Sequence, residues 1–418
     1  MKDKAIHPDP HVAAVPALPA TAAHSAVVNL ERRAKRQAWA PVHELFAVTA
    51  PGLEPLCAAE LKAIGAEEVQ PLAGGVAFAG RLDLLYAANL WLSTAGRVLL
   101  RLKDFRVRTW EDLVRQAAAI PWEVWLPAGC GLKVQASLHQ SNLRHEGRIA
   151  EEVFGAAAAH LGGLGLAPPC LAEADQAGVQ NVQVRGTDRR ATISLDSSGE
   201  HLHRRGYRLA PGPAPLREDL AAALLLLAGY TGEEPLLDAF CGSGTLAIEA
   251  GLAARRLAPG RGRAFACQAW PSFREPTWRH QLRLAADQAL AAPPAAIIAR
   301  DTAVAALDIC QENAGRAGLG GQIAIERADF FKAAPPESGP GLVVINPPYG
   351  KRLGSVRQAG ELVERIGRRL AEAYAGWRVG IALYRPEWAE SLPLADARSL
   401  TAPHGGLKLT LLTGRVAA

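Results

Sequence analysis

From Leu216 onward the chain alternates two kinds of apolar pattern in a regular order. "LREDLAAALLLLAGY", "GTLAIEAGLAARR", "AVAALDICQENAGRAG" and the stretch from Ala359 to Ala375 carry apolar residues at helical spacing. Between them lie "PLLDAF", "AAIIARD", "QIAIERAD", "GLVVINPPYG" and "WRVGIAL", short apolar runs that read as buried strands. Strands alternating with helices predict a mostly parallel, doubly wound sheet covered on both faces. Ligands of such sheets bind beyond the carboxyl ends of the strands, so the residues that end these strands are the candidates for chemistry.

Ahead of Leu216 the pattern is mixed. "HELFAVTAPGLEPLCAAELKAIGA" runs from a strand into a helix, and "EVQPLAGGVAFAG" returns as two strands joined at Gly74 and Gly75, a small α+β unit over 41–104. A second unit over 105–205 offers a helix from "RTWEDLVRQAAAIPWEVW", the strand "GLKVQASLH", a helix from Gly147 to Leu161, and the strands "NVQVRGTD" and "RRATISLDSSG". Neither unit carries a catalytic constellation, which leaves the chemistry to 206–418. Residues 1–40 are rich in Ala, Pro and His and end in the basic run "ERRAKRQ". Their prolines and acids break any signal-peptide pattern, and a disordered tail is expected.

Composition narrows the partners. The 418 residues exceed what one core usually serves, and 49% hydrophobic with 21% charged residues is ordinary for a folded protein. The longest apolar run, "LAAALLLLAG", is about half of what a membrane span needs, so it is expected as a buried helix with no membrane partner. A formal charge of +5 permits a polyanionic partner without requiring one. Six cysteines lie far apart with no C-x-x-C pair, so no metal is expected, and a reduced cytoplasmic protein is the simplest reading.

The first strand ends in "LLDAFCGSGTLAIEA", where Gly242 and Gly244 make a tight turn and Asp238, Cys241, Ser243 and Thr245 surround a ligand. No Lys follows the glycines, which excludes a Walker A loop, and Ala247 replaces the third glycine of a dinucleotide fingerprint. Asp301 ends the second strand, placed to accept from ribose hydroxyls or to cap the helix that follows. Asp329 and Phe330 follow the third; they suit an adenine amino group and ring, or serve as a cap and a core aromatic. The fourth ending, Asn346, Pro347, Pro348 and Tyr349, supplies two acceptors, the Asn346 side-chain oxygen and the Pro347 carbonyl, with no proline N–H to compete. Two acceptors suit an exocyclic NH₂ group, and Tyr349 can stack on a planar base.

This set, with "INPPYGKRL", resembles the class I S-adenosylmethionine-dependent methyltransferases that methylate amino groups. "DSSGEHLHRRGYRLAPGPAPLREDLAAALLLLAGY" resembles the segment joining a THUMP domain to its methyltransferase domain in bacterial RNA guanine-N2 methyltransferases acting on 23S ribosomal RNA and tRNA. "LFAVTAPGLEPLCAAEL", "RVLLRLKDFRV" and "SLHQSNLRHEGRIAEEV" are similar to the ferredoxin-like and THUMP modules of that family. The resemblance implies a Rossmann-like α/β domain at 206–418 behind a ferredoxin-like unit and an RNA-binding THUMP unit. It also implies S-adenosylmethionine as cofactor and RNA, 23S before tRNA, as substrate. Arg144, Arg148, Arg204 and Arg205, in "LRHEGR" and "HLHRRGYR", become candidates for phosphate contacts. Two departures stand out: Ala299 and Ala303 flank Asp301 where relatives place Gly and Asp or Asn, and "RGRAFACQAWPSFREPTW" is an insertion of the ribosomal kind. An adenine-N6 methyltransferase is the alternative, because adenine's amino group fits the same acceptors.

Overall fold

The structure is a computed structural model that describes residues 32, 35, 36, 38, 39, 41–139, 143, 145–172, 178–208, 216–348 and 356–417. Most of the expected tail, Arg144 and Tyr349 lie outside them.

The first half builds one eight-stranded sheet from β1 (His43–Thr49), β2 (Glu67–Leu72), β3 (Gly75–Gly80), β4 (Ala95–Arg106), β5 (Gly131–His139), β6 (Cys170–Leu171), β7 (Gln180–Thr187) and β8 (Arg190–Asp196), in the order β2-β3-β1-β4-β8-β7-β5-β6. The two units expected here share this sheet through β4. Its first residues pair with β1, Ala95 opposite Thr49 and Leu100 opposite Leu45, and its later ones with β8, Leu99 opposite Asp196 and Arg106 opposite Arg190. The boundary expected after residue 104 therefore falls inside a strand.

The second half carries β9 (Leu236–Asp238), β10 (Ile297–Asp301), β11 (Ala324–Arg327), β12 (Leu342–Ile345), β13 (Arg378–Leu383), β14 (Leu394–His404) and β15 (Leu407–Val416), in the order β11-β10-β9-β12-β13-β15-β14. β9 to β13 are mutually parallel, whereas β15 runs antiparallel to β13 and β14. In sequence order within the sheet this reads third, second, first, fourth, fifth, seventh, sixth, with the reversal between β9 and β12. The hairpin β14–β15 was not expected. β14 is an exposed edge with a bulge at Asp396 (φ 52°) and a proline, so it lacks clean alternation. Gly405 and Gly406, at φ 57° and 80°, make its turn and were its one sequence signal. The "LAAALLLLAG" run lies in helix Glu218–Leu227, buried along Leu220 to Leu225, and among the described residues no helix is long and apolar enough to cross a membrane.

The insertion after helix Thr245–Ala254 joins the halves. Its Phe265, Cys267, Trp270, Trp278 and Ala285 belong to the core of the first sheet rather than the second. Cys267 N donates to Ser197 O (3.0 Å), Trp270 Nε1 to Gln180 Oε1 (2.9 Å), Trp39 Nε1 to Ser272 O (2.8 Å) and Arg274 N to the Tyr86 hydroxyl (3.1 Å). Trp270 also meets Trp125 edge to face, with ring centroids 5.7 Å apart. The second half thus lends side chains to the core of its neighbour.

Candidate active site

The central strands β9 and β12 are buried apolar runs and β10 carries Arg300 beside its apolar residues; Asp238 and Asp301 end β9 and β10 and Asn346 follows β12, all on the same edge of the sheet. After β9 the chain turns through Gly242 (φ 52°) and Gly244 (φ 85°) into helix Thr245–Ala254. A Cβ on Gly244 would lie 2.4 Å from the Cys310 sulfur, whereas one on Gly242 would meet no atom within 4 Å. The first glycine faces open space and the second lets a neighbouring helix approach. This is a turn whose backbone is bare toward a ligand.

Asp301 holds that turn. Its Oδ2 accepts from Gly242 N (3.0 Å) and its Oδ1 from Ala303 N (3.0 Å), so one carboxylate ties the turn to the residue that precedes helix Val304–Arg316 and keeps lone pairs to spare, without capping that helix. Asp301→Ala removes the clamp together with the acceptor and should weaken S-adenosylmethionine binding by roughly 1–3 kcal/mol. Calorimetry finding an unchanged affinity would contradict this assignment.

Asp238 is fully buried at the end of β9, its Oδ2 accepting from Ala247 N (3.2 Å) and its Oδ1 without a hydrogen-bond partner among the described residues. Burial, with a smaller push from the Asp301 charge, raises its pKa to about 7 against the help of the Ala247 and Phe240 amides. A folded pKa above the unfolded one means that this group's contribution to stability is full below the unfolded value and lost as pH rises through about 7. Glu249, raised to about 7 chiefly by burial, adds in the same direction. His203 and His43, their pKa values lowered by burial, act against this trend, so the effect is read by difference: Asp238→Asn in the cofactor-free protein is expected to make melting temperature fall less, or rise more, between pH 5.5 and pH 8 than in the parent. A cationic ligand favours the ionised Asp238, so cofactor affinity should climb between these pH values, and Asp238→Asn should flatten the climb in a calorimetric series.

At the end of β12, Asn346 is half-buried and its Oδ1 is shielded from solvent with no hydrogen-bond partner among the described residues, next to the buried Pro347. An acceptor left bare in this way costs about 1–3 kcal/mol unless a substrate donor satisfies it. Beyond β11, Asp329 Oδ1 accepts from Phe331 N (3.0 Å) and its carbonyl from Lys332 and Ala333 N, while its other oxygen lies 3.8 Å from Lys332 Nζ.

Four expected contacts read differently in the structure. Phe330 is 3% exposed, its ring stacked on Tyr374 at 5.4 Å, so it serves the core rather than an adenine. The Cys241 thiol is buried behind the turn, and its hydrogen bond with Cys310, together with burial, pushes its pKa far up. The buried Thr245 hydroxyl accepts from Arg208 Nη2 (2.7 Å) instead of facing the turn's open side. Arg205 is 7% exposed, bonded to the carbonyls of Ser93 and Leu202 and 3.7 Å from Glu249, so it cannot reach a phosphate. Arg148 and Arg204, with side chains 52% and 65% exposed, remain at the surface. Ser243 gives its carbonyl to Asn313 Nδ2 (3.0 Å), a partner the sequence reading passed over. Its one signal was an amide in the apolar stripe of helix Val304–Arg316, which buries Cys310, Asn313 and Ala314.

A seven-stranded sheet of this order, with a glycine turn after its first strand, acids after the first and second, and Asn-Pro-Pro after the fourth, defines a class I methyltransferase. Residues 205–412 match the RMKL-like methyltransferase domain and residues 44–99 the RlmL ferredoxin-like domain. "Putative RNA methyltransferase slr0064" of Synechocystis is 34% identical over 375 residues, covering 88% of this chain and 95% of that protein. The chain belongs to the RMKL-like methyltransferase family. The Magnetococcus marinus "Ribosomal RNA large subunit methyltransferase K/L" is 35% identical over 90% of this chain, but only 52% of that protein is covered, so the chain spans about half the length of the K/L relatives it matches. Among solved structures, SMU.472, "a putative methyltransferase complexed with SAH", superposes with a TM-score of 0.79 at 27% identity over 89% of this chain and 98% of that one. A Listeria monocytogenes protein named "a predicted N6-adenine-specific DNA methylase" gives 0.79 at 30% identity over 89% and 96%. The SMU.472 ligand, S-adenosylhomocysteine, is the demethylated product of S-adenosylmethionine.

Proposed function

We propose that the protein transfers a methyl group to the exocyclic N2 of a guanosine in RNA, in 23S ribosomal RNA before tRNA. The observation that carries the reading is the bare Asn346 Oδ1, an acceptor held out of water beside the cofactor turn. An exocyclic amine has two N–H donors, and Asn346 Oδ1 with the Pro347 carbonyl can take both. Holding both hydrogens aims the nitrogen lone pair away from them, toward the cofactor side. Asp238, Gly242 and Asp301 would hold the cofactor, which supplies an electrophilic methyl on a sulfonium. The nitrogen–carbon bond forms as the carbon–sulfur bond breaks, and the amine loses its proton afterwards, so no strong base is required. Positioning supplies most of the acceleration, and a base inside a helix must first be flipped out. Tyr349 is proposed as the stacking face for that base.

RNA is favoured over DNA by the first half of the chain. Its similarity to the RlmL ferredoxin-like domain, the THUMP resemblance and the names of the K/L relatives all point to ribosomal RNA. Residues before 206 are proposed as the RNA-binding part, with Arg148 and Arg204 among the phosphate contacts. The adenine-N6 reading keeps one specific support, the name of the Listeria neighbour. Tritiated S-adenosylmethionine incubated with total RNA and, separately, with unmethylated DNA, followed by nucleoside analysis, decides between them. Label in N2-methylguanosine is the expected result; label only in N6-methyladenine would transfer the same geometry to the other base.

A further inference from the structure

The interdomain linker Arg205-Gly206-Tyr207-Arg208 is bonded to both sides of the molecule. On one side Arg205 Nη2 donates to Ser93 O (2.6 Å), between β4 and the helix Leu82–Trp91. On the other, three contacts lead to the cofactor turn. Arg208 Nη2 donates to the Thr245 hydroxyl (2.7 Å) at the first residue of the turn's helix, and to Leu216 O (3.0 Å). The Tyr207 hydroxyl donates to Glu249 Oε1 (3.0 Å) one turn further along. The Tyr207 carbonyl accepts from Arg316 Nε (2.9 Å), whose Nη2 donates to Asn313 Oδ1 (2.7 Å), and Asn313 Nδ2 donates to Ser243 O (3.0 Å) within the turn itself. Asn313 is fully buried, so its amide has no water to fall back on.

We propose that Asn313 and Arg316 are positioning residues for S-adenosylmethionine: they fix the Ser243 peptide from beneath, so that the bare face of Gly242 is presented to the cofactor. Gly242 and Gly244 both sit at positive φ, where glycine gives the backbone little resistance to other conformations. Asp301 clamps the turn at Gly242 N and Asn313 clamps it one residue on, at Ser243 O. Two clamps on successive residues leave the turn one conformation. Arg316 sets which way the Asn313 amide points, because only the oxygen can accept from a guanidinium. The linker carbonyl at Tyr207 in turn fixes Arg316, which ties the turn to the segment between the two halves. The inference rests on the cofactor alone and not on which base is methylated.

The test uses the full chain with S-adenosylhomocysteine as the probe, by calorimetry and by thermal melting with and without that ligand. Asn313→Asp keeps the shape and the Arg316 contact but sets a carboxylate oxygen against the Ser243 carbonyl. It should raise Kd about tenfold or more, the scale of one buried hydrogen bond lost. Arg316→Ala should do the same, and Arg316→Lys, whose three donors sit on one nitrogen instead of on the separate Nε and Nη2 used here, should fall between it and the parent. The ligand-induced rise in melting temperature should shrink in step with Kd. A residue with only a structural role would lower both melting temperatures alike and leave Kd within twofold, and that result in Asn313→Asp would overturn the proposal. Should Arg316→Ala fail to fold, Asn313→Asp and Arg316→Lys decide it.

Discussion

Asn346→Ala is expected to lower methyl transfer about 10²–10³-fold, the loss seen when one preorganised hydrogen-bonding group is removed from a reacting centre. Cofactor affinity should stay within a factor of about two, because the turn and the two acids that would hold the cofactor lie on β9 and β10. The separation follows from the geometry: among the described residues Asn346 Oδ1 has no hydrogen-bond partner, so removing it leaves no donor there unsatisfied. Its truncation should accordingly cost little stability. Asn346→Asp is a useful companion, since it keeps an acceptor oxygen while adding a charge. Retained cofactor binding with lost transfer supports the acceptor role. Loss of cofactor binding in Asn346→Ala would place the residue in the wrong subsite.

The second large effect concerns the insertion. Trp278 is 6% exposed and meets Tyr86 at 6.0 Å and Phe265 at 5.5 Å, both edge to face, inside the core of the first sheet. Trp278→Ala should destabilise the whole chain by about 3–5 kcal/mol, as for other buried Trp and Phe truncations. A chain that starts at residue 206 suffers more. It loses Tyr86 from beside Phe273 and Trp278 and Trp125 from beside Trp270, and should appear by size exclusion as an aggregate or as a species that binds a hydrophobic dye. A monomeric, cooperatively melting fragment of that length would show that the insertion is not part of the first core. The proposed split between RNA binding before residue 206 and chemistry after it is therefore a split of roles, which cutting the chain does not cleanly separate.

The sequence carried the catalytic half well because its signals are local. Buried parallel strands are unbroken apolar runs, and in a doubly wound sheet a polar residue at the end of such a run falls on the ligand edge. The positions of Asp238, Asp301 and Asn346 at strand ends were legible for that reason. Whether a side chain at such an end faces the ligand or the core depends on long-range packing, and there the reading failed. Phe330 turns into Tyr374, Thr245 toward Arg208, and Cys241 toward Cys310. Arg205 looked like one more surface arginine in a basic run, yet its partners lie at Ser93 and Glu249, distant in sequence. The shared β4 and the docked insertion escaped for the same reason, since the pairing of a strand and the burial of an inserted tryptophan depend on residues that are far away along the chain. The β14–β15 hairpin is the opposite case. Its paired glycines were a local signal, and the exposed, bulged edge strand hid it.

Methylation of guanosine N2 in 23S RNA is tested most directly by which nucleoside loses its methyl group when the protein is absent. Methylated guanosines should be mapped in 23S ribosomal RNA and in tRNA from a strain lacking this protein, and from the same strain carrying either the wild-type chain or Asn346→Ala. The predicted result is one N2-methylguanosine that vanishes from 23S RNA in the deletion, returns with the wild-type chain and stays absent with Asn346→Ala. An unchanged N2-methylguanosine map in both RNAs, with N6-methyladenine lost from DNA instead, would contradict it.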